Sequence, residues 1–318
     1  MSTLSIPKRR SYRPGFILIL CTVIMIAAGI VCIYFAVHGN LSTISQNSLA
    51  VYGNRSGSGV MTVDFLDVGQ GSAALLCFSD GKTLMVDSGP PLSQDKLLSY
   101  LNERDVDALD CLVITHQHGD HAGNVSAVLA ACTVKDIIFP IAPVNLLIDP
   151  ARFEGIYEDI ADKGLVIHNP YKGEVILSGD GYSVTVLSDD TGDYETLNDY
   201  SIILRVVVGN VSFLMMGDAE ASTEQQLLHS GLYLHSDVLL VGHHGNRNAD
   251  SIPFLTAVSP SIAVISVGEN TFGQPSNSVI SRLSESDIDI YRTDEDGTVS
   301  FETDGLTYKV DCGILLPR

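Results

Sequence analysis

At 318 residues, 45% hydrophobic and carrying 28 glycines, the chain is long enough for one large domain or two small ones. Its formal net charge of −20 argues against tight, non-specific binding of duplex DNA, which needs several phosphate-neutralising cations. The six cysteines lie far apart with no CxxC pair, which argues against a zinc ribbon or a small disulfide scaffold. Cys77, Cys111, Cys132 and Cys312 read instead as small buried hydrophobes.

The chain opens on a short tail, residues 1–15, holding Lys8, Arg9, Arg10 and Arg13. Residues 16–37, "FILILCTVIMIAAGIVCIYFAV", follow without a charge, enough for a helix to cross about 30 Å of hydrocarbon. Basic residues on the short side favour keeping that end in the cytoplasm. A cleaved signal peptide would have an apolar core of about 7–15 residues and a small-x-small site. The longer run reads as an uncleaved single-pass anchor, with the body outside the cell. Residues 38–60 are rich in Ser, Gly and Asn and read as a flexible linker. The body, residues 61–318, is then even more acidic than the whole.

From Met61 the pattern turns to short β-rich runs between Gly, Asp and Asn turns. "TVDFLDV", "SAALLCF", "TLMVD" and "DCLVITH" come first; "YSVTVLS", "SIILRVVV", "VSFLMMGD", "SDVLLVGHH", "SIAVISVG", "IDIYRTD", "GTVSFET" and "LTYKVDC" come later. Helical periodicity covers residues 93–102, 124–131, 153–163, 221–229, 251–258 and 278–284. "VVVGNVSFLMM" reads as a hairpin with a Gly-Asn turn. Strands in such number, with hairpins mixed among βα units, predict an α/β or α+β body of two sheets flanked by helices.

The chemistry gathers at strand ends. "CLVIT" runs into His116-Gln117-His118-Gly119-Asp120-His121, although only 9 of the 318 residues are histidine. His116 and His118 can face one metal, Asp120 and His121 a second position, and Gly119 permits a tight bend. Nitrogen and oxygen donors without thiolates suit Zn²⁺, Mn²⁺ or Fe²⁺. Asp218 ends "SFLMMGD", His243 and His244 end "SDVLLVGHH", and Asp87 ends "TLMVD", where it reads as a buried turn carboxylate. Singly, each is an ordinary strand-to-loop transition; together they form a constellation.

These motifs resemble those of the metallo-β-lactamase superfamily: "VDSG", then "THQHGDHAGN", then "GD", in that order. The resemblance sharpens to the extracellular domain of ComEC-type competence proteins through "FLDVGQGSA", "NDYSIIL", "FLMMGDAE", "VLLVGHHGN", "NTFGQPSNSVISRL" and "YRTDEDGTVSF". It implies an αββα sandwich with two divalent metal ions, Zn or Mn, at one edge between the sheets. By that resemblance His116 and His118 bind the first ion, Asp120 and His121 the second, and Asp218 bridges. His243, in preference to His244, completes the second site. A hydroxide between the ions would then attack a phosphodiester in line.

The chain departs from the ComEC pattern in places. Ser72 stands where relatives often carry an acidic residue. Asn246, Arg247 and Asn248 replace serines, and Arg247 is the expected anchor for a substrate anion. Gln274 replaces a histidine between Gly273 and Pro275; its amide can donate a hydrogen bond but not a titratable proton. Gln274→His is therefore expected to speed phosphodiester cleavage. No histidine stands near residues 198–201, where many superfamily enzymes place another ligand. His38, His168, His229 and His235 read as surface or packing residues.

The reading is a membrane-anchored, outward-facing metallohydrolase, a nuclease or phosphodiesterase, with Asp120, Gln274 and Arg247 at the reacting centre. A single span cannot form a DNA channel, so a separate channel protein is the expected partner. The alternatives are hydrolysis of a small ester, amide or lactone, and a binding module with impaired chemistry.

Overall fold

The computed structural model describes residues 59–188 and 194–313. The anchor expected at residues 16–37 lies outside the described residues, as does the linker up to residue 58. No described helix is long and apolar enough to cross a membrane.

Two sheets face each other. The first runs in the order Tyr308–Cys312, Val299–Thr303, Met61–Phe65, Ala74–Cys77, Thr83–Val86, Cys111–Val113, Ile137–Ile138 and Ile167–His168. The second runs Asp289–Arg292, Ile262–Ile265, Val238–Leu240, Val211–Met215, Leu204–Val208, Tyr182–Val186 and Val175–Gly179. Each sheet joins an antiparallel half to a parallel half. Strands Thr83–Val86, Cys111–Val113, Ile137–Ile138 and Ile167–His168 pair in parallel. So do Val211–Met215, Val238–Leu240, Ile262–Ile265 and Asp289–Arg292.

Side-chain alternation sorts the apolar residues into three packed layers. Val63, Phe65, Leu76, Leu84 and Val86 meet Val184, Val206, Phe213, Met215 and Leu240 between the sheets. On the outer face of the first sheet, Leu75, Met85 and Leu112 pack against helices Gln94–Glu103, Val125–Ala131 and Pro150–Asp162. Leu214, Leu239 and Ala263 do the same for the second sheet against Ala221–His229, Ile252–Val258 and Asn277–Glu285. Parallel strands are buried on both faces and so read as continuous apolar runs, as "CLVI" and "VLLV" do. The result is an αββα sandwich.

The Gly-Asn hairpin forms with Val208 opposite Val211. Six helices lie within a few residues of their expected positions. The helix expected from residue 153 starts earlier, because Asp149 caps it by accepting from the Arg152 amide and Pro150 fills its first turn. The segment after His118 is a helical turn, Gly119–Ala122, and not a bend that depends on Gly119. Gly119 is absent from the left-handed glycines, so its freedom is not what shapes the motif. The short strands Ala108–Leu109, Thr133–Val134, Ile137–Ile138 and Ile167–His168 escaped the sequence reading, being too brief to show a period.

Candidate metal centre

Both parallel halves deliver their strand ends to one edge of the sandwich, the position at which open α/β sheets hold ligands. Thr83–Val86 leads to Asp87, Cys111–Val113 to the His116–His121 motif, Val211–Met215 to Asp218, and Val238–Leu240 to His243 and His244.

Two donor groups result. His116, His118 and Asp218 form one; Asp120, His121 and His244 form the other, with the donor atoms of each group within 4.8 Å of one another. Asp218 lies between the two. Its Oδ2 is 3.5 Å from His116 Nε2, and its Oδ1 is 3.1 Å from His121 Nε2 and 3.5 Å from His244 Nε2. The Asp218 amide donates to Ser201 Oγ at 3.0 Å, which fixes the turn carrying the carboxylate. Gly217 is left-handed there, and a Cβ on it would meet Ser201 Oγ and Thr115 Cβ at 3.0 Å.

The imidazoles are aimed by their other nitrogens. His121 Nδ1 lies 2.7 Å from Asp87 Oδ2, and Asp87 Oδ1 accepts from the Thr115 amide at 2.7 Å. The turn carboxylate Asp87 is thus the residue that orients His121. His244 Nδ1 donates to the Ser266 carbonyl at 2.7 Å, which turns Nε2 toward Asp120 Oδ2 at 3.4 Å. Gln117 turns away from the group, donating to the Tyr157 hydroxyl and accepting from the Ala142 amide. It pins the motif to helix Pro150–Asp162 and the loop before it.

This arrangement corrects the choice between the two histidines. His244, not His243, joins Asp120 and His121. Both rings bring Nε2 near the Asp218 carboxylate, His244 at 3.5 Å and His243 at 3.6 Å, but the Ser266 carbonyl aims His244 at Asp120 and His121. The His243 ring stands at the cavity wall, with Nδ1 2.7 Å from Glu220 Oε1 and Nε2 3.6 Å from Asp218 Oδ2. Arg247 is exposed and does not line the cavity. Arg152, from the first turn of helix Pro150–Asp162, takes that position. Its Nη1 is 3.8 Å from where a Cβ on Gly119 would stand, and its Nε is 3.3 Å from Asp149. Gln274 lines the cavity but has both ends engaged: its Oε1 accepts from Gln70 at 2.8 Å and its Nε2 donates to the His243 carbonyl at 3.1 Å.

The chemistry of these donors fits divalent cations. With Nδ1 of both rings committed to acceptors, His121 Nε2 and His244 Nε2 stand 3.3 Å apart beside the Asp120 and Asp218 carboxylates. Lone pairs and negative charge converge there, and positive charge resolves them. Burial opposes a proton on His121, yet Asp218 and Asp87 outweigh it and hold the imidazole well above its ordinary pKa, the same pull on positive charge that a cation at Nε2 would satisfy in the proton's place. Burial would also raise Asp218, but His121, His244 and His116 hold it well below the carboxylate range. Burial, reinforced by His121, keeps His116 well below its ordinary value and therefore neutral, as a ligand must be.

Four of the donors, His118, Asp120, Asp218 and His244, line a cavity of about 630 Å³, and His116 and His121 stand behind them. Among the described residues Arg152 is the sole Lys or Arg in its lining; Pro91, Ile148, Phe153 and Phe272 supply apolar wall. Ile148 and Phe272 are 80% and 76% exposed, so both stand as lips at the mouth and not as core.

A two-sheet sandwich with histidine–carboxylate groups at its parallel strand ends is the architecture of metallo-β-lactamase proteins. Residues 66–269 match the metallo-beta-lactamase superfamily, to which the chain belongs. It is 28% identical over 257 residues to ComE operon protein 3 of Bacillus subtilis, covering 75% of this chain and 32% of that protein. It is 31% identical over 227 residues to recombination protein 2 of Haemophilus influenzae, covering 70% of this chain and 26% of that one. The chain thus spans a third or less of the length of these relatives. Among solved structures, the metallo-beta-lactamase fold protein YhfI of Bacillus subtilis superposes with a TM-score of 0.54 at 13% identity, covering 77% of this chain and all of that one.

Sequence reasoning missed the roles of Arg152, Glu220, Ser266 and Gln70. Gln70 and Glu220 stand inside "FLDVGQGSA" and "FLMMGDAE", but nothing in those motifs says which partner each side chain meets. For Arg152 the available signal was the Asp-Pro pair at 149–150, which moves the helix start far enough back to include it.

Proposed function

We propose that the chain is a metal-dependent phosphodiesterase acting on nucleic-acid strands, held at the outer face of a cell membrane by residues 16–37 and working beside a separate channel protein. The observation that carries the reading is the pair of donor groups with Asp218 between them, opening on one cavity through His118, Asp120, Asp218 and His244. Bound by His116, His118, Asp218, Asp120, His121 and His244, two divalent ions, zinc or manganese, would supply Lewis acidity and a water of lowered pKa.

The chain's own residues do the rest. Asp87 and Ser266 hold His121 and His244 in the tautomers that face inward. Arg152 offers guanidinium N–H groups to a phosphate oxygen above Gly119, where charge-assisted bonds orient the ester. Phe272 and Ile148 offer apolar surface to the groups flanking that phosphate, and a base can stack on the Phe272 ring. The names of the relatives, a competence-operon protein and a recombination protein, support a nucleic-acid substrate.

One observation favours a smaller substrate: a single Lys or Arg among the described residues of the lining, on a chain of net charge −20, makes poor electrostatic footing for a long polyanion. The test compares the full-length, metal-loaded protein on bis-p-nitrophenyl phosphate, single-stranded DNA, and a panel of esters, amides and lactones. Cleavage of both phosphodiesters is expected. Turnover confined to the ester, amide or lactone panel would replace this reading with the small-substrate hydrolase.

A further inference from the structure

His243 and His244 are consecutive left-handed residues, with φ of 47° and 54°. For residues other than glycine this costs about 1–2 kcal/mol each, and such a turn persists only where its surroundings over-determine it. One end is held by the sheet, where the His243 amide donates to the Gly217 carbonyl at 3.0 Å.

The other side is held by residues 274–276, which lie against His243 and Gly245. Gln274 Nε2 donates to the His243 carbonyl at 3.1 Å. Pro275 packs on Gly245, where a Cβ would meet Pro275 Cβ at 2.7 Å. The Ser276 amide donates to the Gly245 carbonyl at 2.8 Å. The Gln274 amide is itself fixed in direction: its Oε1 accepts from Gln70 Nε2 at 2.8 Å, and Gln70 Oε1 accepts from the Gly268 amide at 3.2 Å. Asn270 closes the same loop, donating to the Gln274 carbonyl at 2.7 Å and accepting from its amide at 3.2 Å.

We infer that Gln274, oriented by Gln70, is a positioning residue: it buttresses the peptide between His243 and His244 and so sets where His244 Nε2 presents itself to Asp120, His121 and a metal ion. With both ends of its side chain engaged within the protein, Gln274 acts through His244 and not on substrate. The inference rests on the reading of His244 as a ligand.

The experiment is a Zn²⁺ titration of the full-length, chelator-stripped protein, resolving successive binding steps by competition with a chromophoric chelator. Wild type is compared with Gln274→Ala, Gln274→Met and Gln70→Ala. Gln274→Met keeps the volume and loses only the hydrogen bonds, so it still tests the inference if the alanine variant fails to fold. Loss of an outer partner of a ligand lowers metal affinity about 10–100-fold. That loss is expected in one of the two steps, that of the ion held by Asp120, His121 and His244, for the Gln274 variants; a smaller loss in the same step is expected for Gln70→Ala, and the other step stays unchanged. Gln70→Ala added to Gln274→Met should cost nothing more, since the two amides act as one unit. Wild-type affinity in both steps for Gln274→Met would overturn the inference, as would a faster Gln274→His variant that keeps both affinities. Failure of the wild type to bind any Zn²⁺ would instead remove the ligand reading on which the inference stands.

Discussion

The two walls of the site are built on opposite plans. The wall from the first sheet is local: residues 115–121 and Asp87 lie on adjacent strand ends and aim one another through Thr115. The wall from the second sheet is assembled from afar. His244 depends on a doubly left-handed turn, on Ser266 from the next strand, and on residues 274–276. A local motif keeps its geometry through covalent spacing, whereas a remote one keeps it through packing. The remote wall is accordingly the one on which sequence reading and structure part company.

Breaking the local wall should have the largest effect. Asp120→Ala combined with His121→Ala removes two of three donors from one group; hydrolysis should vanish and metal content should fall to about one ion or fewer. Steady-state rates and elemental analysis check it, and wild-type activity would break the two-group assignment.

Next comes the remote wall. His244→Ala should weaken the second ion by more than the about 10–100-fold typical of losing an outer partner, and His243→Ala should stay within that range. Metal titration of the two variants side by side decides between the neighbours.

A smaller effect is expected at the cavity wall. Arg152→Ala should raise KM for a phosphodiester about 10-fold with kcat less affected, a charge-assisted bond discounted for partial exposure. Arg247→Ala, at an exposed position, should change KM by about twofold at most.

The smallest effect lies beneath the remote wall. Burial, reinforced by Glu224, pushes the Asp250 carboxyl well above its ordinary value. The folded state therefore holds that proton more tightly than the unfolded chain does. The resulting stabilisation is complete below about pH 3.9 and is lost as pH rises through the raised value. Asp250→Asn cannot ionise, so its melting temperature should gain on wild type as pH rises. Parallel melting curves from pH 4 to 8 would contradict this.

Much of the fold was legible because its signals are short-range. Apolar runs marked the buried parallel strands, Gly-Asn marked the hairpin, and the six main helices carried their own periodicity. The first wall was legible for the same reason, since five of its polar residues stand within seven positions of one another. What escaped depends on three-dimensional placement. Nothing in "GHHG" says which ring will find a carbonyl acceptor, and only the Ser266 carbonyl decides it. Arg247 is nearer the histidine pair in sequence than Arg152, yet the helix capped by Asp149 brings Arg152 to the cavity from the opposite wall. Gln274 was read as a chemical group because its two partners, Gln70 and the His243 carbonyl, lie 204 and 31 residues away.

The central claim is that one edge of this sandwich holds two divalent ions on two donor groups joined by Asp218. Elemental analysis of the full-length protein, purified without chelator and dialysed against zinc-free buffer after loading, tests it most directly. Two equivalents of bound metal per chain are expected, falling to about one or fewer in the Asp120→Ala, His121→Ala variant. A wild-type protein that retains no stoichiometric metal, or whose content is unchanged by that double substitution, would contradict it.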